Sequence, residues 1–131
     1  MRVHATGRAR LTCTSLHRLQ VRFVGSGDAF GSGGRFQACI LLHAPGHSGD
    51  VLLDCGASLI ALKHQRHDPN QIGLVLVSHL HGDHFGGLPF LVLDGQFDHR
   101  TRPLHVAGPA GWESGCRRRW RTPTARSTTP T

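Results

Sequence analysis

The sequence predicts a single mixed α/β domain. An alternating apolar and polar segment at 19–24 predicts a half-buried strand, and a continuous β-branched and leucine run at 72–77 predicts a buried one. Between them, residues 57–67 have the apolar spacing of a helix. A chain of 131 residues is long enough for one hydrophobic core but not for two domains.

The first half of this domain is predicted to be mainly strand and loop. The strand at 19–24 leads into a glycine-rich segment at 25–34, which predicts a loop. Short apolar runs follow at 38–42 and 51–53, separated by the turn-rich segment 44–49. This arrangement predicts an antiparallel pair of strands with a long connection.

Helices and strands alternate in the second half. The helix at 57–67 is expected to turn Leu59, Ile60 and Leu62 inward and Lys63, His64 and Arg66 outward. The run at 72–77 is expected to be buried on both faces, as in a parallel sheet. A short helix interrupted by Pro89 is predicted at 86–93, and a last strand at 104–107.

The net charge of +7 is concentrated at the two ends of the chain. Residues 1–22 contain five arginines and no acid, and residues 114–131 contain five more and no acid. We expect 1–18 to be a disordered basic leader and 113–131 a disordered Arg/Thr/Pro-rich tail, because neither has a hydrophobic period. The domain is therefore predicted to span 19–112, and the charge alone does not predict a nucleic-acid surface on it.

The apolar content predicts a cytoplasmic protein without membrane association. No apolar run reaches 18 residues, and the first residues lack the apolar core of a secretory signal. The four cysteines are scattered without a C-x-x-C pair. Cys39 and Cys55 lie in apolar runs, and we expect them to be buried, reduced thiols.

Four potential metal ligands follow the buried strand within six residues: His79, His81, Asp83 and His84. Imidazole and carboxylate groups are the usual ligands of zinc and related divalent ions. His79 and His81 are two residues apart in a predicted extended loop, so they can converge on one ion. Asp83 and His84 are adjacent and are expected to diverge, which suits a second ion. The segment thus predicts a site for up to two Zn²⁺, or for Mn²⁺ or Fe, that activates a metal-bound hydroxide.

The segment His-Leu-His-Gly-Asp-His at 79–84 resembles the H-x-H-x-D-H motif of the metallo-β-lactamase superfamily. The segments Phe-Gly-Gly-Leu-Pro-Phe at 85–90, Val-Gly-Ser-Gly-Asp-Ala at 24–29 and Val-Leu-Leu-Asp-Cys-Gly at 51–56 are similar to its ribonuclease Z-like branch. The resemblance covers roughly 19–112. It implies an αββα sandwich, two mixed sheets packed face to face with helices outside, of which this chain contains the first half.

The resemblance also assigns roles to individual residues. It implies that His79, His81, Asp83 and His84 bind the metal, with Asp83 also catalytic. It implies that Asp54 supports the metal histidines from behind, as ligand imidazoles require. Ser78 has two interpretations, bracing of the metal loop and capping. The glycines at 25–34 are expected to allow close packing beside the metal loop.

The function implied is metal-dependent hydrolysis, with a small-molecule or nucleic-acid phosphodiester as the substrate. Members that process tRNA carry a Gly-Glu-Gly-Thr-Gln-type segment where this chain has Gly-Ala-Ser-Leu-Ile at 56–60. Hydrolysis of lactones, thioesters or other small esters is the alternative on the same fold. Association of two copies of the chain into a homodimer is a further expectation.

Further family ligands, another histidine, a bridging aspartate and a last histidine, are implied later in the chain. No aspartate follows Asp98 and no histidine follows His105. We therefore expect a truncated or frame-shifted product whose first sheet has one uncovered apolar face. An inactive remnant that binds metal or nucleic acid is the third alternative. Six further histidines are expected to be structural or solvated: His43, His47, His64, His67, His99 and His105.

Overall fold

A five-stranded mixed sheet forms the centre of the computed structural model, which describes residues 19–114. The strands lie in chain order: β1 (Gln20–Gly25), β2 (Cys39–His43), β3 (Asp50–Leu53), β4 (Ile72–Leu76) and β5 (His105–Ala107). The first three are antiparallel, whereas β3, β4 and β5 are parallel. The mixed α/β class, the antiparallel pair and the five predicted strand regions are confirmed.

Three helices connect the parallel strands: α1 (Ser58–His64), α2 (Gly82–Phe85) and α3 (Leu88–Phe97). Short 3₁₀ turns lie at Ser32–Gly34 and Pro69–Gln71. Helices α1 and α3 contact each other, as crossover connections on one face of a sheet do. The core between helices and sheet includes Leu52, Leu62, Ile72 and Val75, all fully buried.

Two details of the predicted helices are wrong. Ile60 is 64% exposed instead of inward, because the buried face of α1 consists of Ser58, Ala61 and Leu62 at helical spacing. Pro89 does not interrupt a helix but lies in the first turn of α3, where a missing backbone N–H breaks no helical bond.

The sheet face opposite the helices is apolar, and no helix or strand within residues 19–114 packs on it. Paired residues of successive strands line it, for example Phe23 beside Ile40, and Leu53 beside Leu76. Phe23 is 65% exposed and Leu76 is 37% exposed. The expectation that 72–77 is buried on both faces is therefore wrong, since within residues 19–114 the helices cover only one face. Within residues 19–114, one apolar face of the sheet is uncovered, as expected.

The leader predicted at 1–18 lies outside the described residues, and so do residues 115–131 of the predicted tail. The domain bounds 19–112 stay a prediction. None of the helices within residues 19–114 is long and apolar enough to cross a membrane.

Candidate metal centre

The predicted ligands lie at the edge of the sheet where β3 and β4 end. Because these strands are parallel, their carboxyl ends meet at one edge. The Asp54 backbone N–H donates to the Leu76 carbonyl at 2.8 Å, which joins the residue after β3 to the end of β4. The loop 77–81 and helix α2 then carry the four predicted ligands.

Asp54 forms three hydrogen bonds, two with the loop and one with helix α2. Its Oδ1 accepts from the Ser78 backbone N–H at 2.7 Å, and its Oδ2 accepts from the Ser78 hydroxyl at 2.9 Å. Its Oδ2 also lies 2.8 Å from His84 Nδ1. Of the two interpretations of Ser78, these contacts support bracing of the loop. They also place the Asp54 carboxylate against His84 Nδ1, while its support of a metal ligand stays a prediction from the resemblance.

The environment of Asp54 favours its charged form. Burial raises the pKa of this carboxyl group, but the hydrogen bonds from Ser78 and His84 outweigh burial and hold the pKa below its ordinary value. Asp54 also adopts a left-handed backbone with φ of 64°. Its backbone is therefore strained, which is common where a side chain must be held in a fixed direction.

The structure brings the three histidines of the motif together. The ring centroids of His79 and His84 lie 3.9 Å apart, and those of His79 and His81 lie 4.6 Å apart. The Ser78 hydroxyl lies 3.0 Å from His79 Nδ1. The proximity expected of His79 and His81 is therefore present.

Asp83 and His84 do not diverge as expected. His84 Nε2 lies 3.3 Å from Asp83 Oδ2. Both residues lie in the single turn of α2, which keeps their side chains close.

The chemistry of these donors fits a divalent cation, since three imidazoles and a carboxylate lie within six residues of the chain. Their placement is not that of a formed site. Within residues 19–114, no group of three or more His, Cys, Asp or Glu side chains is arranged to hold a metal ion.

Two glycines allow α2 to pack against the turn after β3. A Cβ atom on Gly56 would lie 1.9 Å from the Asp83 carbonyl oxygen, and one on Gly87 would lie 1.7 Å from the Gly56 carbonyl oxygen. Neither position can hold a side chain without movement of the backbone. The expectation that glycines at 25–34 serve this purpose is wrong, because Gly25 and Gly27 pack against the backbone of 35–37.

A second histidine cluster lies at the opposite edge of the sheet. His43 Nδ1 lies 2.6 Å from Asp50 Oδ1, and His67 Nε2 lies 3.2 Å from Asp50 Oδ2 without the alignment of a hydrogen bond. Of the two roles expected of His43 and His67, structural or solvated, these contacts favour the structural one. The register that pairs Leu42 with Val51 places His43 opposite Asp50, and the sequence alone does not fix this register.

Burial affects the ionisation of His67 and Cys39. It lowers the pKa of His67, against the opposing effect of Asp50. It raises the pKa of the Cys39 thiol to about 11. Cys39 and Cys55 are buried, as expected, whereas Cys13 and Cys116 lie outside the described residues.

Comparison with known proteins identifies the family of the chain. The family described as "Anti-Pycsar protein Apyc1" matches residues 19–110. The chain belongs to this family. The matched residues include the whole sheet and both histidine clusters.

The curated relatives of this Apyc1-family chain include ribonucleases Z. The enzyme of Anoxybacillus flavithermus is 36% identical over 98 residues, which are 73% of this chain and 31% of the relative. That of Bacillus cereus strain B4264 is 38% identical over 91 residues, which are 68% of this chain and 30% of the relative. The chain thus spans about a third of the length of these relatives.

Solved structures show the same fold. Human tRNase Z, short form (ELAC1), matches with a TM-score of 0.66 and 30% identity, over 76% of this chain and 38% of the human one. The metallo-β-lactamase fold protein YhfI of Bacillus subtilis matches with a TM-score of 0.62 and 23% identity, over 73% and 39%. The predicted resemblance to the amino-terminal portion of a ribonuclease Z-like, metallo-β-lactamase-fold protein is confirmed.

Proposed function

We propose that residues 79–84 are the metal-binding segment of a metal-dependent hydrolase that acts on phosphodiesters. The observation that carries the proposal is the hydrogen bonding of Asp54, which holds both ends of this segment through Ser78 and His84. A carboxylate behind a ligand imidazole is the usual support of a metal site. Relatives named ribonuclease Z support a phosphodiester as the substrate.

His79 and His81 would hold one ion, and Asp83 and His84 would hold a second. Zn²⁺ is the first choice for such donors, with Mn²⁺ or Fe as alternatives. When bound, such an ion supplies positive charge to the reacting phosphoryl group and lowers the pKa of a coordinated water.

The chain's own residues orient this site. Because His84 Nδ1 faces Asp54, its Nε2 is the nitrogen directed at the site. Ser78 fixes the adjacent His79 through Nδ1 in a similar way. Asp83 is the proposed catalytic carboxylate, because its Oδ2 lies beside His84 Nε2 and can accept a proton from an attacking water there.

Metal content and turnover test this proposal together. The purified chain is loaded with Zn²⁺ or Mn²⁺, its bound metal is counted, and hydrolysis of bis(p-nitrophenyl) phosphate is followed. His81→Ala is expected to lose metal and turnover, whereas His64→Ala, at an exposed position of α1, should lose neither. Equal metal content and equal rates for His81→Ala and the unaltered chain would refute the assigned site.

A non-catalytic metal-binding remnant is the second candidate. The observation that favours it is that the three histidines of 79–84 lie together, but no group of three or more His, Cys, Asp or Glu side chains within residues 19–114 is arranged as a formed metal site. Stoichiometric metal without turnover of phosphodiesters, lactones or thioesters would select it. Steeply salt-dependent RNA binding without cleavage would point to a nucleic-acid-binding remnant.

We further propose a cytoplasmic protein that forms a homodimer. The buried free thiol of Cys39 supports a reducing compartment. The open apolar sheet face, which includes Phe23 and Leu76, supports association with a second copy. Sedimentation of the purified chain tests the dimer, and a monomer at micromolar concentration would exclude it.

A further inference from the structure

A pocket of about 380 Å³ lies where β3 and β4 begin, at the opposite edge of the sheet from the metal segment. Asp50 lines it and Asp54 follows the other end of β3, so the two edges are about 13 Å apart along the strand. A pocket of this volume is in the range of small-molecule sites. Its cationic and titratable lining residues are Arg22, His43, His47, His67 and Arg102.

The single carboxylate among the described lining residues is Asp50, and it is shielded from the pocket. Its side chain is 6% exposed. Each of its oxygens faces one imidazole, Oδ1 that of His43 and Oδ2 that of His67. Asp50 therefore orients the two imidazoles, and its negative charge must be offset by the arginines of the pocket when an anion binds.

Among the described residues, the two arginines of the pocket have no partner of opposite charge. Within residues 19–114, neither Arg22 nor Arg102 forms an ion pair with a carboxylate. The charge of Arg22 reaches the cluster, because it helps to lower the pKa of His67. A guanidinium group presents a planar set of donors that matches the oxygens of phosphate or sulfate.

We propose that this pocket binds a dianionic tetrahedral oxyanion, a phosphate or sulfate group, through Arg22 and Arg102 with the histidines as additional donors. The site is independent of the proposed metal centre. Since His43 Nδ1 already faces Asp50, a further proton on this ring is carried by Nε2, which gives the ligand another donor.

Binding is expected to take up protons. Around His67, protonation is favoured by Asp50 and Asp68 and opposed by burial, Arg22 and His43. A bound dianion adds to the favourable side. Affinity should therefore be higher at pH 6 than at pH 8.

Calorimetric titration of the whole chain with sulfate tests the proposal, because sulfate does not itself titrate between pH 6 and 8. The double variant Arg22→Gln/Arg102→Gln is expected to bind sulfate at least tenfold more weakly. Arg35→Gln, which removes an exposed charge outside the pocket, should bind as the unaltered chain does. Circular dichroism confirms that the variants are folded.

The outcomes separate the pocket from general basic charge. Weaker binding in the double variant but not in Arg35→Gln, and tighter binding at pH 6, support the site. Absence of sulfate binding, or equal losses in both variants, would overturn it. Phenyl phosphate as a second probe distinguishes the source of the oxyanion: tighter binding than inorganic phosphate indicates an esterified phosphate, and equal binding a free one.

Discussion

Strand β3 has an aspartate at each end, and the two aspartates are used differently. Asp50, at the amino end, contacts two imidazoles beside an open pocket. Asp54, after the carboxyl end, contacts one imidazole and both polar groups of Ser78. Both carboxylates orient histidines, but only Asp54 also fixes the path of a loop.

The difference lies in which parts of the chain supply the partners. Around Asp54, the partners come from one short segment that glycines hold tightly against the turn after β3. Around Asp50, they come from the end of β2 and from the segment after α1. We infer that the carboxyl edge is rigid and specialised, whereas the amino edge is assembled from distant parts and is more tolerant of change.

Gly87→Ala should have the largest effect on stability. The new Cβ would lie 1.7 Å from the Gly56 carbonyl oxygen, so the backbone must move. We expect a loss of about 3 kcal/mol or more in the free energy of unfolding, measured by urea denaturation. Gly73→Ala, near the amino edge, meets its nearest atom at 3.3 Å and should cost less than about 1 kcal/mol. Similar losses in the two variants would contradict the difference in rigidity.

Asp54→Ala should destabilise the protein more than Asp50→Ala. The first substitution leaves the Ser78 N–H, the Ser78 hydroxyl and His84 without their acceptor, with an expected loss of about 2–4 kcal/mol. The second affects His43, which is half exposed, and His67, with an expected loss of about 1–2 kcal/mol. Urea denaturation at pH 7.5 measures both, and a larger loss for Asp50→Ala would reverse the comparison.

The two edges should also respond to acid at different pH. Burial lowers the pKa of His67, so the folded state favours the neutral imidazole. The stability that depends on this neutral form is full above the unfolded pKa near 6.5. It is lost as the pH falls through the lower pKa of the folded state. The lowered pKa of Asp54 means that its contribution is full above about 3.8 and is lost only below that.

Urea midpoints at pH 7.5 and 5.5, in chloride buffer, test the first of these effects. The unaltered chain should lose more stability over this interval than His67→Gln does. An equal loss in both would show that His67 is not responsible.

The smallest effect concerns Cys39, a buried core residue at the start of β2. Burial raises its pKa to about 11, so little thiolate exists at pH 8. Iodoacetamide should leave Cys39 unmodified in the native chain and modify it after unfolding, as peptide mass spectrometry can measure. Rapid native labelling would show that the core opens.

The sequence predicts the carboxyl edge well because its residues are close together in the chain. The motif at 79–84 follows the run at 72–77 directly, and Asp54 follows another predicted strand. The Asp50 cluster could not be predicted in the same way, since it needs His43 and His67 to meet across a register and a crossover that periodicity does not fix. The exposure of Ile60 and the start of α3 at Pro89 depend on the exact phase and bounds of helices, which are the least predictable features.

X-ray absorption of the zinc-loaded chain tests most directly whether imidazoles of the 79–84 segment bind the metal. We expect nitrogen and oxygen ligands at about 2.0–2.1 Å with the multiple scattering of imidazole, reduced in His79→Ala/His81→Ala. Sulfur ligands at about 2.3 Å, or a spectrum unchanged in the double variant, would contradict it.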